Sequence, residues 1–87
     1  MKKCYVIVID EVYDYETQFH KPEVYTTKEK ASHRLSFLYH QFNDELDKDW
    51  KRSVSDDCAS FYLDGEYSCN HLDITLHEVI VNQELIH

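Results

Sequence analysis

The chain has 87 residues and a formal net charge of −8, with 43% hydrophobic and 14% aromatic residues. This composition predicts a single small domain over residues 1–87 and excludes intrinsic disorder, and the acidic balance excludes direct binding to nucleic acid or anionic membrane. No apolar stretch is long enough to span a bilayer, so we expect no membrane span, no signal peptide and a cytoplasmic location.

The first predicted element is a strand over Lys3–Tyr13. Its segment Tyr5–Ile9 is apolar on both parities, which is typical of a strand that is central or covered on both faces. The polar segment Asp14–Lys21 is predicted to be a connection. Pro22 then precedes a short edge strand, Glu23–Tyr25, which we expect to pair back on the first strand.

The region Thr26–Asp47 is predicted to form the one helix, with a capping box in which Thr26 is the N-cap and Glu29 lies three residues on. Apolar residues recur at helical spacing and form one stripe for packing on a sheet. They are Ala31, Leu35, Leu38, Phe42 and Leu46. Acids crowd the last turn, where the helix dipole favours cations, so we expect either a frayed, solvated end or a functional role. These acids are Asp44, Glu45, Asp47 and Asp49.

After a predicted loop, Trp50–Asp56, the segment Cys58–Leu63 alternates as a half-buried strand. Asp64-Gly65 predicts a type I′ hairpin turn, and the return strand begins at Glu66. The inward residues are predicted to be Ala59, Phe61, Leu63, Ile74 and Leu76, and the outward residues Tyr62, Asp64, Glu66, Asp73 and Thr75.

Two changes of apolar parity interrupt the return strand. The first predicts a bulge or break at Asn70–His71, and the second lies near Glu78. The fold class that follows is α+β, with an antiparallel sheet of about four strands in ββαββ order and one amphipathic helix on one face.

Metal and catalytic chemistry find little support in the residue spacing. A zinc set of Cys58, Cys69, His71 and His77 has no close Cys pair and no His pair at three-to-five spacing, and His33 and His40 lie two helical turns apart. Buried cysteines and surface histidines are the favoured alternative. With Cys4, the cysteines are odd in number and widely spaced, which is typical of reduced cytosolic thiols.

Adjacent acid pairs, Asp10/Glu11 and Asp56/Asp57, point to opposite faces on a strand, and the chain has one Gly and no phosphate-binding loop. We therefore predict no catalytic residue, no cofactor, no metal and no enzymatic activity.

The charges are distributed unevenly along the chain. All nine basic side chains lie at or before Arg52, and the 35 residues that follow carry seven acids. A surface of one sign favours a basic docking partner, and tyrosine beside acid offers a rigid contact with a polar tip. We predict that carboxylates stand in for phosphates and aromatic rings for bases. The predicted partner-binding residues are Tyr62, Asp64, Glu66, Asp73, Tyr13 and Asp14.

Three segments, Tyr5–Val8, Glu11–Glu16 and Val24–Ala31, resemble the strand, strand and helix start of small proteins encoded by bacteriophages and other bacterial mobile elements. The resemblance covers about residues 4–31, and the hairpin over 56–81 lies outside it. It implies a cytoplasmic protein of a bacterial host that binds a host protein, and inhibitors of CRISPR effectors are similar in size and charge. It carries over no catalytic residue.

The function that these observations favour is an inhibitor or modulator of a basic, nucleic-acid-binding host protein. The alternative is an accessory or structural subunit of a mobile element, and a zinc-binding enzyme is the third class. Either the acidic hairpin face or the acidic helix end is the interface, and a homodimer through an edge strand is a further option.

Overall fold

A computed structural model describes residues 2–63 and 70–81, which form one antiparallel sheet and one helix. The elements are β1 (Lys2–Tyr13), β2 (Glu16–Gln18), β3 (Glu23–Tyr25), α1 (Lys28–Glu45), β4 (Trp50–Val54), β5 (Cys58–Leu63) and β6 (His71–Val81). The predicted α+β class and single helix are confirmed. No helix among the described residues has both the length and the hydropathy that crossing a membrane requires.

The strand order is β2-β1-β6-β5-β4, and β3 also pairs with β1. Strand β1 is central, as predicted: β6 lies along one edge, from Lys2 opposite Val81 to Val12 opposite His71. The other edge of β1 is shared by β3 near its start and β2 near its end. The two ends of the described chain therefore meet side by side in the middle of the sheet.

The helix packs on one face of this sheet and buries the core there. The core residues are Ile7, Ala31, Leu35, Leu38, Trp50, Ala59, Phe61, Leu72, Ile74 and Leu76. The three largest fully buried side chains, Ile7, Phe61 and Ile74, each contribute about 2 kcal/mol of hydrophobic stabilisation. Among the described residues no second layer lies on the opposite face. Of the two alternatives predicted for β1, the structure therefore shows the central strand and not the one covered on both faces.

The helix begins one residue later than the predicted cap. Thr27, in extended conformation, is the N-cap, and its hydroxyl oxygen accepts a hydrogen bond from the backbone N–H of Lys30 at 3.3 Å. Glu29 lies in the first turn, where its charge complements the helix dipole. The predicted apolar stripe is confirmed: its first three members are buried, and Phe42 and Leu46 pack against the core.

The helix end is ordered by Arg52, whose guanidinium donates hydrogen bonds to the backbone carbonyls of Leu46 (3.0 Å) and Asp47 (3.2 Å) and to the Asn43 side chain. The last basic residue of the chain thus lies at the negative end of the helix dipole. The backbone N–H of Leu46 also bonds to the carbonyl of Phe42. The carbonyls of this last turn are hydrogen-bonded rather than frayed, because Arg52 on the next strand donates to them. The four acids are exposed, as expected for a solvated helix end.

The predicted number and order of strands are wrong: the described chain has six strands in βββαβββ order. Trp50–Asp56 was expected to be a loop, but Trp50–Val54 is the edge strand β4. Its inward positions are Trp50, Arg52 and Val54. Because the middle position is charged, the sequence does not show the alternation of apolar and polar residues that would predict a strand. Strand β2 lies within the predicted connection Asp14–Lys21; all three of its residues are exposed, so it has no apolar pattern.

The bounds of β5 and β3 agree with the prediction, as do the inward residues of β5. The parity change near Glu78 does not mark a bulge, because the β1–β6 register continues there without a break. It arises because Val79 lies on the uncovered face. The Leu63 N–H donates to the Asn70 carbonyl at 3.1 Å, and β6 begins at His71. The bulge or break at Asn70–His71 stays a prediction, because residues 64–69 lie outside the described residues. The predicted turn Asp64-Gly65 and the strand start at Glu66 lie outside the described residues.

Candidate functional site on the uncovered face of the sheet

Strand alternation decides which side chains lie on the uncovered face. In β1 these are the even-numbered residues, and in β6 they are the odd-numbered residues that stand directly opposite. In β5 the residues that alternate with buried Ala59 and Phe61 share this face. At one end of the sheet the face therefore carries four side chains with polar groups, which we name the acidic patch: Asp10, Tyr62, His71 and Asp73.

Asp10 and Asp73 are directly opposite each other across the β1–β6 ladder; His71 lies two residues before Asp73 on β6 and is the diagonal neighbour of Asp10. The Nε2 atom of His71 lies 3.6 Å from Asp10 Oδ2 and 3.9 Å from Asp73 Oδ2. The side chains of Asp10 and Asp73 are 61% and 40% exposed. Like charges directly opposite in a sheet destabilise the pair, so this arrangement favours a cationic group beside them.

Tyr62 flanks the two carboxylates on the neighbouring strand. It is opposite His71, while Asp73 is opposite Ser60, so Tyr62 and Asp73 are diagonal neighbours on one face. The Tyr62 side chain is exposed. Lys51, opposite Tyr62 on β4, bounds the patch on the far side. The patch thus places an aromatic ring beside two carboxylates.

The hairpin between β1 and β2 lies at the same end of the sheet. Its two turn residues, Asp14 and Tyr15, both have positive φ (55° and 67°), as a type I′ turn requires. The backbone N–H of Asp14 donates to Asn70 Oδ1 at 2.8 Å, which ties the turn to the start of β6. We name Tyr13–Glu16 the aromatic turn, because Tyr13 and Tyr15 are exposed there beside two acids.

The structure brings four of the six predicted partner-binding residues to one end of the sheet. Tyr62 and Asp73 lie on its uncovered face, and Tyr13 and Asp14 belong to the aromatic turn. The other two, Asp64 and Glu66, lie outside the described residues. For all six residues, a role in partner binding stays a prediction.

The zinc set considered from the sequence is not assembled among the described residues. Cys58 is opposite Thr75, four positions along β6 from His71, which is roughly 13 Å in a strand. Cys69 lies outside the described residues. His71 instead meets two aspartates, and of the described cysteines Cys4 and Cys58 are free thiols.

Sequence reasoning did not place Asp10 and His71 in the candidate site. Asp10 and Glu11 point to opposite faces, as expected, and Glu11 contacts the His20 ring at 3.1 Å on its own side. The spacing of His71 and Asp73, two residues apart in a strand, was a usable sign that they share a face. What the sequence does not contain is the pairing of β6 with β1, which adds Asp10.

A second cluster joins the edge strand β3 to the helix. Two of the three guanidinium nitrogens of Arg34, Nε and Nη2, donate to the Glu23 carboxylate at 2.9 and 3.2 Å, and the Tyr25 hydroxyl donates to the same carboxylate. Hydrogen bonding by Arg34 and then by Tyr25 holds the pKa of Glu23 below its usual value, against the effect of burial. The adjacent groove, about 440 Å³, is lined by Phe37 and the helix flank. Because these charges satisfy each other, we assign this cluster a structural role.

The uncovered face continues beyond the acidic patch as an apolar strip. It consists of Val6, Val8, Val24 and Val79, of which Val24 is 64% exposed. The face that the helix leaves open therefore has one acidic end and one apolar end.

Comparison with protein-family models, curated proteins and solved structures finds no match to this chain.

Proposed function

We propose that the chain is a small acidic protein-binding module that docks on a basic, nucleic-acid-binding protein through the acidic patch and the aromatic turn. The observation that carries this proposal is the Asp10–Asp73 pair, directly opposed on a sheet face that the helix leaves uncovered. A cationic partner group, such as the lysines and arginines of a nucleic-acid groove, relieves this repulsion on docking.

The chemistry of the surroundings supports the same kind of partner. The carboxylates substitute for phosphates, and Tyr62, Tyr13 and Tyr15 offer rigid rings with polar tips in the place of bases. The net charge of −8 steers a basic protein toward this surface and repels nucleic acid. Because the contact is electrostatic at its rim, its association rate falls as salt rises.

The biological setting is part of the proposal. An inhibitor of a host nucleic-acid-binding effector, of the kind that mobile elements direct against bacterial defence, needs a small acidic surface of this type. The resemblance over about residues 4–31 supports this setting.

Capture from bacterial lysate, followed by competition, tests the proposal. Immobilised chain is expected to retain a basic protein at low salt, to lose it at moderate salt, and to release it when excess duplex DNA is added. Release by DNA is the decisive observation, because a mimic and the nucleic acid compete for one groove. A retained protein that is indifferent to salt and to DNA contradicts the proposal.

The alternative, a structural or accessory subunit, is favoured by the apolar strip and by the exposed edge strand β4. Such a subunit buries the strip of Val24 and Val79 in a larger assembly and uses its acidity only for solubility. In the same capture experiment it retains a partner whose binding does not weaken with salt, since apolar contacts are not screened.

A further inference from the structure

Three groups that can bind metal converge on the acidic patch. Residues two apart in a strand share a face, which places His71 beside Asp73, and the ladder places Asp10 directly opposite Asp73. One ligand atom from each of the three residues lies within 4.8 Å of the other two. The backbone of two paired strands therefore presents one imidazole and two carboxylates from a common surface.

The distances are close to those of a coordinated ion. Donor atoms about 2.0–2.1 Å from a tetrahedral metal lie about 3.3–3.4 Å from one another. The His71 nitrogen is 3.6 and 3.9 Å from the two carboxylate oxygens. Small side-chain rotations are therefore enough to bring the three donor atoms to the separations found around a coordinated ion. We propose that Asp10, His71 and Asp73 bind a divalent transition-metal ion, for which zinc is the natural probe.

The donor set selects the class of ion. Ca²⁺ and Mg²⁺ prefer all-oxygen sites, whereas imidazole together with carboxylate suits zinc and the neighbouring first-row ions. The two carboxylates balance the charge of a divalent ion, and the imidazole coordinates it as a neutral ligand. Binding of the ion therefore removes the repulsion between Asp10 and Asp73. Three protein ligands on an open face leave at least one coordination position for water or for a group of a partner.

This site stands independently of partner docking, because it is measured on the isolated chain. Equilibrium dialysis against zinc chloride with elemental analysis is expected to give one zinc per chain. His71→Gln and Asp73→Asn are each expected to weaken binding at least about tenfold, since each removes a ligand. His77→Gln, on the same face of β6, and Cys58→Ser are the matched controls and should bind like the original chain.

A site-specific measurement accompanies the variants in case one of them fails to fold. In ¹⁵N NMR of the original chain, zinc should shift the Nε2 resonance of His71 and leave that of His77 in place. The proposal is overturned if the chain binds no zinc, if His71→Gln binds as tightly as the original, or if the His71 resonance does not move.

Discussion

Arg52 joins the end of the helix to the sheet. Its guanidinium donates to the backbone carbonyls of Leu46 and Asp47, which directly follow α1, and to the Asn43 side chain, and it lies 5.9 Å from the centre of the Phe61 ring. The side chain points inward from β4 because these acceptors are on the helix side. A charge at an inward position is thereby satisfied by several hydrogen bonds, which the planar guanidinium can form at once.

Replacing Arg52 should therefore cost more than an ordinary surface substitution. Arg52→Gln is expected to lower the free energy of unfolding by about 2 kcal/mol, because it removes charge-assisted hydrogen bonds and leaves helix carbonyls unpaired. Arg52→Lys should recover only part of this, because an ammonium group cannot span the same acceptors. Urea unfolding followed by circular dichroism measures both, and Lys51→Gln is the neighbouring control. Equal stability of Arg52→Gln and Lys51→Gln would contradict the assigned role.

Glu23 gives the fold a defined dependence on pH. Its folded-state pKa lies below the usual 4.5, so its stabilising contribution is complete above that pH and is lost as the pH falls through the lower value. Glu23→Gln should lower stability at neutral pH and reduce the loss of stability that occurs as the pH falls below 4.5. Glu16→Gln, an exposed acid in β2, should leave the slope unchanged. Parallel slopes for the original chain and Glu23→Gln would exclude this contribution.

At the scale of elements, the aromatic turn combines a proposed role in partner binding with a strained backbone. A type I′ turn favours Asn-Gly or Asp-Gly, but the second turn position here is Tyr15, with φ of 67°. Left-handed backbone costs a residue with a Cβ atom about 1–2 kcal/mol, so the exposed ring is held at a cost in stability. Strain of this kind is concentrated at functional sites.

Two substitutions at Tyr15 distinguish the effect of losing the aromatic ring from the effect of the left-handed backbone conformation. Tyr15→Ala and Tyr15→Gly remove the same ring, but only glycine relieves the left-handed conformation. Tyr15→Gly is expected to be about 1 kcal/mol more stable than Tyr15→Ala in urea unfolding. Both should weaken partner binding equally. If the two variants are equally stable, the turn is not strained.

The elements that the sequence predicts well are those whose pattern is local. The stripe of α1 and the alternation of β5 follow from residue spacing, because each buries a face against its immediate neighbours. The sequence pattern does not reveal strand β4, because Arg52 places a charge at an inward position. Only the hydrogen bonds of Arg52 at the helix end account for that charge. The short strand β2 is wholly exposed and is formed by hairpin pairing rather than by burial.

The candidate site is predictable only in part for a related reason. Tyr62 and Asp73 follow from alternation within one hairpin, whereas Asp10 joins them through β1–β6 pairing between residues more than sixty positions apart. Local pattern carries no information on that choice of neighbour. The distant pairing is what turns a His-x-Asp spacing into a three-residue cluster.

For the whole molecule, the helix covers one face of the sheet, and acids form two clusters, one at the helix end and one on the uncovered face. Arg52, which ends the basic part of the sequence, lies at the helix end, where it donates to the backbone carbonyl of Asp47. At the acidic patch two carboxylates, Asp10 and Asp73, are directly opposed across a ladder, and the His71 ring lies within 3.9 Å of both. This opposition of like charges distinguishes the patch, and we therefore propose it, rather than the helix end, as the surface that binds a cationic partner.

Charge reversal with a matched control tests this claim most directly. Asp10→Lys with Asp73→Lys keeps two like charges opposed, so its fold should match that of the original chain, and Asp44→Lys with Glu45→Lys gives the same net charge at the helix end. Titration calorimetry against the captured partner is expected to show more than tenfold weaker binding for the first pair, about 1.4 kcal/mol or more, and nearly unchanged binding for the second. Equal losses for both pairs, or a loss only at the helix end, would contradict the account.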